Sequence, residues 1–364
     1  MLGIGRGSRE GVMSLEASIK NCGRTKQWSV ALRLLREGLR LGVQLVPGHY
    51  IAIASACRKG GQWQHALSVL SDMWKAKLEP NVIFFSYNAG ISACEKGEQW
   101  QRALALLSEM WEAKLELDVI SYSAGISACA KGEQWQRALA LLSQMWEAKL
   151  EPNVISYSAS ISACEKGEQW QRALALLSEM WEAKLEPNVI SYSAGISACE
   201  KGEQWQRALA LLSEMREAKL EPNVISYNAG ISACAKGEQW QRALALLTMA
   251  AGPGAAERDA GGEAGAQRHH YHAGISACER GEQWQPALAL LSAMREAKLE
   301  PNVISYNAGI SACEKGEQWQ RALALLSEMR EAKPEPDVIS YSAGISACEK
   351  SEQWQRALAL LSEM

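Results

Sequence analysis

The chemically capable side chains of this 364-residue chain recur at a nearly fixed interval. One basic residue appears in each of ten steps: Arg24, Lys59, Lys96, Lys131, Lys166, Lys201, Lys236, Arg280, Lys315 and Lys350. A row of single cations at regular spacing suits a polyanion laid along the molecule, where successive backbone phosphates each meet one of them. A cation in the last turn of a helix is also favoured by the helix dipole alone, so the row has a purely structural reading too. Overall charge adds nothing: 38 Lys and Arg against 41 Asp and Glu leave −3, which excludes a general polycationic pull on nucleic acid.

Ten cysteines keep the same step, from Cys22 to Cys348, each six residues before a Trp. Equivalent places in helices stacked about 8–10 Å apart lie beyond the roughly 7 Å that a disulfide requires. The cysteines therefore read as small core residues in a reducing compartment. His269, His270 and His272 with Cys278 match no zinc spacing, so neither metal nor cofactor is expected. The carboxylates of one step (Glu200, Glu203, Glu214, Glu217 and Glu221) interleave with Lys and Arg as on a solvated helix face, not as an acid–base pair. No glycine-rich phosphate fingerprint is present, and the longest apolar runs, such as 208–212, are too short to span a bilayer. The expectation is a non-catalytic protein with no small-molecule substrate and no membrane partner.

These residues must be positioned by a repeat. Trp residues from Trp28 to Trp354 are separated by 35, 37, 35, 35, 35, 35, 44, 35 and 35 residues. Ten repeats follow a leader of residues 1–11. Numbering each from the position of Val189, an A helix is expected over positions 2–13, its core face formed by Tyr192, Ile196 and Cys199 at positions 4, 8 and 11. Gly202, at position 14, reads as a left-handed stop. A B helix is expected over positions 16–30, burying Trp205, Ala208, Leu209, Leu212 and Met215. Pro222 keeps it from running on. A helix pair this small cannot hide its apolar stripe alone, whereas stacked copies can. The fold expected is therefore all-α: an α-solenoid superhelix of stacked two-helix 35-residue repeats. It divides into an array of repeats one to seven (12–248), a Gly-rich irregular insertion (249–267) and an array of repeats eight to ten (268–364). The last repeat stops at position 27, which reads as a truncation. On the A helix, positions 2, 5, 9 and 13 form a second stripe away from the core.

The repeat resembles the pentatricopeptide repeat. The likeness rests on the 35-residue period, the opening Val224-Ile225-Ser226-Tyr227-Asn228, the Ala-Leu-x-Leu-Leu and Glu-Met of the B helix, and the closing Leu-Glu-Pro-Asn/Asp; it covers residues 12–364. The related 34-residue tetratricopeptide pattern is absent. The resemblance implies single-stranded RNA as partner, with one base read per repeat by positions 5 and 35 and wedged by an aliphatic residue at position 2. Residue by residue, Asn88 with Asp118 implies uracil. Ser123 with Asn153, Ser158 with Asn188, and Ser193 with Asn223 imply adenine. Asn307 with Asp337 implies uracil again, and Asn228 and Ser342 are further readers. The wedges would be Ile120, Ile155, Ile190, Ile225, Ile304 and Ile339. Repeats three to six would read 5′-UAAA-3′, with Lys96, Lys131, Lys166, Lys201, Lys236, Arg280, Lys315 and Lys350 on phosphates. The same likeness implies organellar RNA processing, in chloroplast or mitochondrion, with other RNA-processing proteins as further partners. Asn or Asp at position 35 is equally suited to capping the next helix.

Several repeats depart from the pattern. Position 5 is Ile51 in repeat two and His272 in repeat eight, and Pro286 sits in the first turn of a B helix. Two extra residues precede repeat three, where both Phe of the chain occur. Residues 258–269 match repeat text read one base out of register, so the segment 249–270 is expected to be a loop interrupting the solenoid. Two alternatives to RNA binding stand beside it. One is a protein-binding scaffold anchored by Trp74, Trp111, Trp146 and Trp181 at position 28, side chains that packing between B helices would also explain. The other is a fragmentary product of recent duplication, since repeats five and six differ at only two positions.

Overall fold

The computed structural model describes residues 17–19, 21–22, 25, 27–40, 46–75, 80–250, 263–332 and 334–364, with backbone alone at 47, 74–75, 80–82, 263–264 and 266. Arg24 and the Trp74 side chain lie outside the described residues. Every regular element among them is a helix, alternating A and B. A typical A helix covers positions 1–13 (Val119–Lys131 in repeat four) and a typical B helix positions 17–29 (Trp135–Glu147).

Two compact bodies make up the chain, Met1–Gly167 with Arg172–Pro187, and Glu168–Gln171 with Asn188–Met364. Within each, an A helix packs on its own B helix and on the A helix of the next repeat, and each B helix packs on the A helix that follows. Each body is thus a stretch of α-solenoid. Its core is Tyr122, Ile126, Ala128 and Cys129 from the A helix with Ala138, Leu141, Leu142 and Met145 from the B helix, repeated every 35 residues. All ten cysteines are free and buried. Burial pushes the thiols of Cys57, Cys94, Cys129, Cys164, Cys199, Cys234, Cys278 and Cys313 up to about 11, which keeps them protonated and inert.

Two expectations about helix ends are corrected. Gly132, at position 14, has φ −83° and ψ 9°, so it is not the left-handed residue. Glu133 after it is, at φ 60°. The Gln134 amide then donates to the Cys129 carbonyl and the Glu133 amide to Ala130, closing a Schellman turn. The glycine is required for another reason. A Cβ on Gly132 would lie 2.2 Å from Cδ1 of Trp100 in the preceding repeat. B helices likewise end at a left-handed lysine (Lys149, φ 56°), well before the proline at position 34.

The B helix before the insertion runs to Ala250 and the helix after it begins at Glu263, so residues 249–250 and 263–270, expected within a loop, are helical. Glu, Ala, Gln and Arg in this stretch are good helix formers, and they run in register into the native A helix. Residues 251–262 lie outside the described residues. The A helix Glu263–Arg280 packs directly on that of repeat seven, Val224–Lys236, so the stack continues across the segment.

Candidate nucleic-acid interface

The position-2 residues stand out on the A helices. Ile120, Ile155, Ile190, Ile225, Ile304 and Ile339 are each 60–63% exposed, as an aliphatic row that the fold does not bury. Repeat three places Phe85 at this position, 57% exposed, a wedge candidate overlooked in the repeat pattern because two extra residues blur the repeat start.

Position 5 behaves differently from the expected open stripe. Asn88, Ser123, Ser158 and Ser193 are buried, at 5–9% exposure. The A helices approach closely through small side chains (Ser121, Ala124, Gly125 and Ala128 in repeat four), and this sets position 5 against position 3 of the next repeat. Ser123 Oγ is 2.8 Å from Ser156 Oγ and donates to the Val119 carbonyl at 2.6 Å. In the second body Ser193 Oγ has the same relation to Ser226 Oγ, 2.8 Å, and to the Val189 carbonyl, 2.7 Å. Ser158 Oγ donates to the Val154 carbonyl. The position-3 serines, Ser121, Ser156, Ser226, Ser305 and Ser340, are fully buried hubs. Their polar type beside the core tyrosine was the signal that could have marked them.

Positions 5 and 35, thirty residues apart, are brought together. Asn88 Nδ2 donates to Asp118 Oδ1 at 3.4 Å, Asn307 Nδ2 to Asp337 Oδ1 at 3.1 Å, and Ser193 Oγ to Asn223 Oδ1 at 3.4 Å. Ser156 Oγ sits between the two positions, 2.8 Å from Ser123 Oγ and 3.1 Å from Asn153 Oδ1, and its single proton serves one of them at a time. Position 35 also caps the next A helix. Oδ1 of Asp118, Asn153, Asn188, Asn223, Asn302 and Asp337 accepts the position-3 amide at 2.8–3.0 Å. These caps use Oδ1, so each Asn keeps its amide donor. Asn228 is half-buried, and its Oδ1 has no partner because His270 replaces the usual serine. Ser342 is exposed.

Repeat eight carries His272 at position 5, its Nδ1 hydrogen-bonded to Ser305 Oγ. Burial, with His269 and Arg268 nearby, lowers its pKa to about 4. Cys278 is packed into the core instead of facing these rings, and among the described residues no group of three or more His, Cys, Asp or Glu is arranged for a metal.

The cation row is less free than its spacing suggests. Lys131 Nζ lies 3.1 Å from Glu95 Oε1 in the first body. In the second, Lys236, Lys315 and Lys350 lie 2.7, 3.6 and 3.2 Å from Glu200, Glu279 and Glu314. Each partner is position 12 of the preceding repeat. Repeat four has Ala130 there, and Lys166 Nζ donates to the Lys131 carbonyl instead, at 3.3 Å. Lys96 and Arg280 are exposed and Lys201 is half-buried. Such part-exposed ion pairs are worth about 0–1 kcal/mol and leave the lysines available to a competing anion.

The position-28 tryptophans do not pack between B helices as expected. Trp111 is 71% exposed, and Trp146 and Trp181 are 50% exposed.

Comparison with known proteins follows from this geometry. The pentatricopeptide repeat domain matches residues 33–96, 105–167, 161–202, 175–237 and 269–316, and related repeat descriptions match 85–115 and 301–350. The chain belongs to the pentatricopeptide repeat family. Among solved structures it is similar to the pentatricopeptide repeat protein PPR10 from maize, at 24% identity and TM-score 0.55, over 92% of this chain and 46% of that one. PPR10 in complex with an 18-nt psaJ RNA element aligns at 22% identity and TM-score 0.46, over 96% of this chain and 58% of that one. The chain therefore spans about half the length of the family members it aligns with. No curated protein matches it.

Proposed function

We propose that this pentatricopeptide repeat protein is a non-catalytic, sequence-specific binder of single-stranded RNA, acting in organellar RNA processing, stability or translation by holding or shielding a strand. The observation that carries the reading is the exposed aliphatic row at position 2. Folding leaves these side chains out of the core in repeat after repeat, beside the paired polar groups of positions 5 and 35. An unpaired base offers them an apolar face, and the position-35 amides and carboxylates offer hydrogen bonds to its edge. Buried serines at position 5 act mainly by fixing the position-35 side chain through the position-3 hub. Selectivity then falls chiefly on position 35. Lysines at position 13 exchange their carboxylate partners for phosphates as the strand docks.

Fluorescence anisotropy with a labelled 12-nucleotide RNA containing UAAA, against oligo-C of equal length, tests this. Binding is expected to favour the UAAA strand and to weaken with salt. Ile155→Ser with Ile304→Ser should weaken it by about tenfold, from lost apolar contact at two bases. Equal affinity for both strands would end the base-reading part of the proposal. An unchanged affinity in the double variant would end the wedge.

A further inference from the structure

The position-28 side chains differ between the two bodies, and the difference exposes a binding chemistry away from the position-2 row. In repeats six, eight and nine position 28 is arginine. Arg295 lies over the ring of Tyr306 in the next repeat, 5.8 Å from its centroid, and its guanidinium also bonds Glu328 at position 26 of that repeat. Arg330 repeats the arrangement with Tyr341, at 5.4 Å, and Glu363. Arg216 lies over Tyr227 at 5.7 Å and, with Met249 at position 26, turns its guanidinium to that sulfur. The solenoid thus builds a guanidinium seat from a tyrosine face and a carboxylate, and fills it from its own chain.

In repeats three and four the filling side chain is missing. Trp111 and Trp146 replace it, the first largely and the second half exposed. After Trp111 an open hollow of about 760 Å³ is walled by Trp111 and Tyr122; Gln144 stands at position 26 in place of the carboxylate, and the acidic lining comes from Glu112 and Glu147 at position 29. Its one cation, Arg137, is occupied over the Trp100 ring at 5.0 Å. After Trp146, the repeat register places Tyr157 in the next repeat, Glu179 at its position 26, where Glu328 stands in the filled seat, and Glu182 at position 29. Burial and the neighbouring Glu182 raise the pKa of Glu179, as for a carboxylate lacking a cation.

We propose that these two aromatic–acidic seats of the first body bind arginine side chains of a basic segment in a partner protein. A planar guanidinium stacks on the rings and pairs with the carboxylates, as Arg295 does internally; an ammonium does this less well. Neighbouring seats are one repeat apart, roughly 9 Å for packed helices. An extended chain advancing about 3.3 Å per residue spans that in three residues, so the fitting segment carries arginines at i and i+3.

The test uses the full chain and a fluorescein-labelled Gly-Arg-Gly-Gly-Arg-Gly peptide, with its lysine counterpart, in anisotropy titrations. The arginine peptide is expected to bind at least several-fold tighter than the lysine one. Trp111→Arg with Trp146→Arg should fill both seats from within and weaken binding about tenfold. The fold should be kept, because repeats six, eight and nine carry this residue. Gln101→Arg with Gln136→Arg adds the same charge at exposed positions outside the seats and should change binding less than twofold. Arg295→Trp should open a new seat and raise the peptide stoichiometry. UAAA RNA affinity should be the same for the Trp111→Arg/Trp146→Arg and the charge-matched Gln101→Arg/Gln136→Arg variants, which separates failure here from failure of the RNA reading. Equal binding of the two peptides, or a tryptophan double variant that binds like wild type, overturns the proposal.

Discussion

Replacing Gly132 with alanine should destabilise the protein, although the backbone argues the opposite. With φ −83° the position is open to any residue. Gly→Ala at such a site stabilises by about 0.4–1 kcal/mol, by restricting the unfolded chain. The new Cβ, however, would lie 2.2 Å from Cδ1, 2.7 Å from Cγ and 3.0 Å from Nε1 of Trp100. Three ring atoms are struck at once, and the ring is also held by the Arg137 guanidinium. No flexible tip can yield, so the indole or the A helix must shift. Overpacking of this kind costs about 1–3 kcal/mol, which outweighs the backbone gain and leaves a net loss of about 1–2 kcal/mol. In a stack of nearest-neighbour interfaces the loss falls on the junction of repeats three and four. Urea unfolding followed by circular dichroism measures the total, and hydrogen exchange over residues 100–132 locates it. A double-mutant cycle with Trp100→Leu isolates the cause: in that background Gly132→Ala should become neutral or stabilising. If Gly132→Ala stabilises the protein with Trp100 present, the steric account is wrong. Repeat ten supplies a natural counterpart. Ser351 occupies position 14, and its buried hydroxyl has no partner, so Ser351→Gly should stabilise by about 1 kcal/mol.

Three further outcomes follow. Glu133→Gly, at the left-handed residue with φ 60°, should raise stability by about 0.5–1 kcal/mol in a urea titration; repeat two already has Gly61 there, at φ 67°. Glu95→Gln releases Lys131 from its carboxylate and should leave stability within about 1 kcal/mol while tightening RNA binding at low salt; unchanged affinity would remove Lys131 from the phosphate contacts. His272 has a folded-state pKa of about 4, below its ordinary value of 6.5. The unfolded chain takes up its proton first, so the stability held by neutral His272 is complete above pH 6.5 and is lost as pH falls toward 4. His272→Asn should flatten stability over that window in pH-dependent thermal melts.

The repeat boundaries, both helices and most core positions were legible in the sequence because each depends on local chain geometry; on the B helix, however, Leu211 is buried in place of Leu209, and Trp205 is only half-buried. Tyr192, Ile196 and Cys199 recur at helical spacing, and ten copies average out exceptions such as Pro286. The asparagine and aspartate caps were readable for the same reason, since the cap and its amide are three residues apart. The residues after 262 depart from the repeat yet form a helix, because Glu, Ala, Gln and Arg favour one and run into the A helix that follows.

The contacts between repeats that set positions 3, 5, 13 and 14 lie 30 to 36 residues apart and could not be read from one unit. Only stacking decides that Ser123 meets Ser156, which buries position 5. Only stacking sets Lys131 beside Glu95 and Trp100 against Gly132, giving a glycine read as a turn residue its true cause, the ring of the preceding repeat. Helical periodicity dictates which way a side chain leaves its own helix. What it then touches is set by the spacing and twist of the next one, which belong to the packed structure alone.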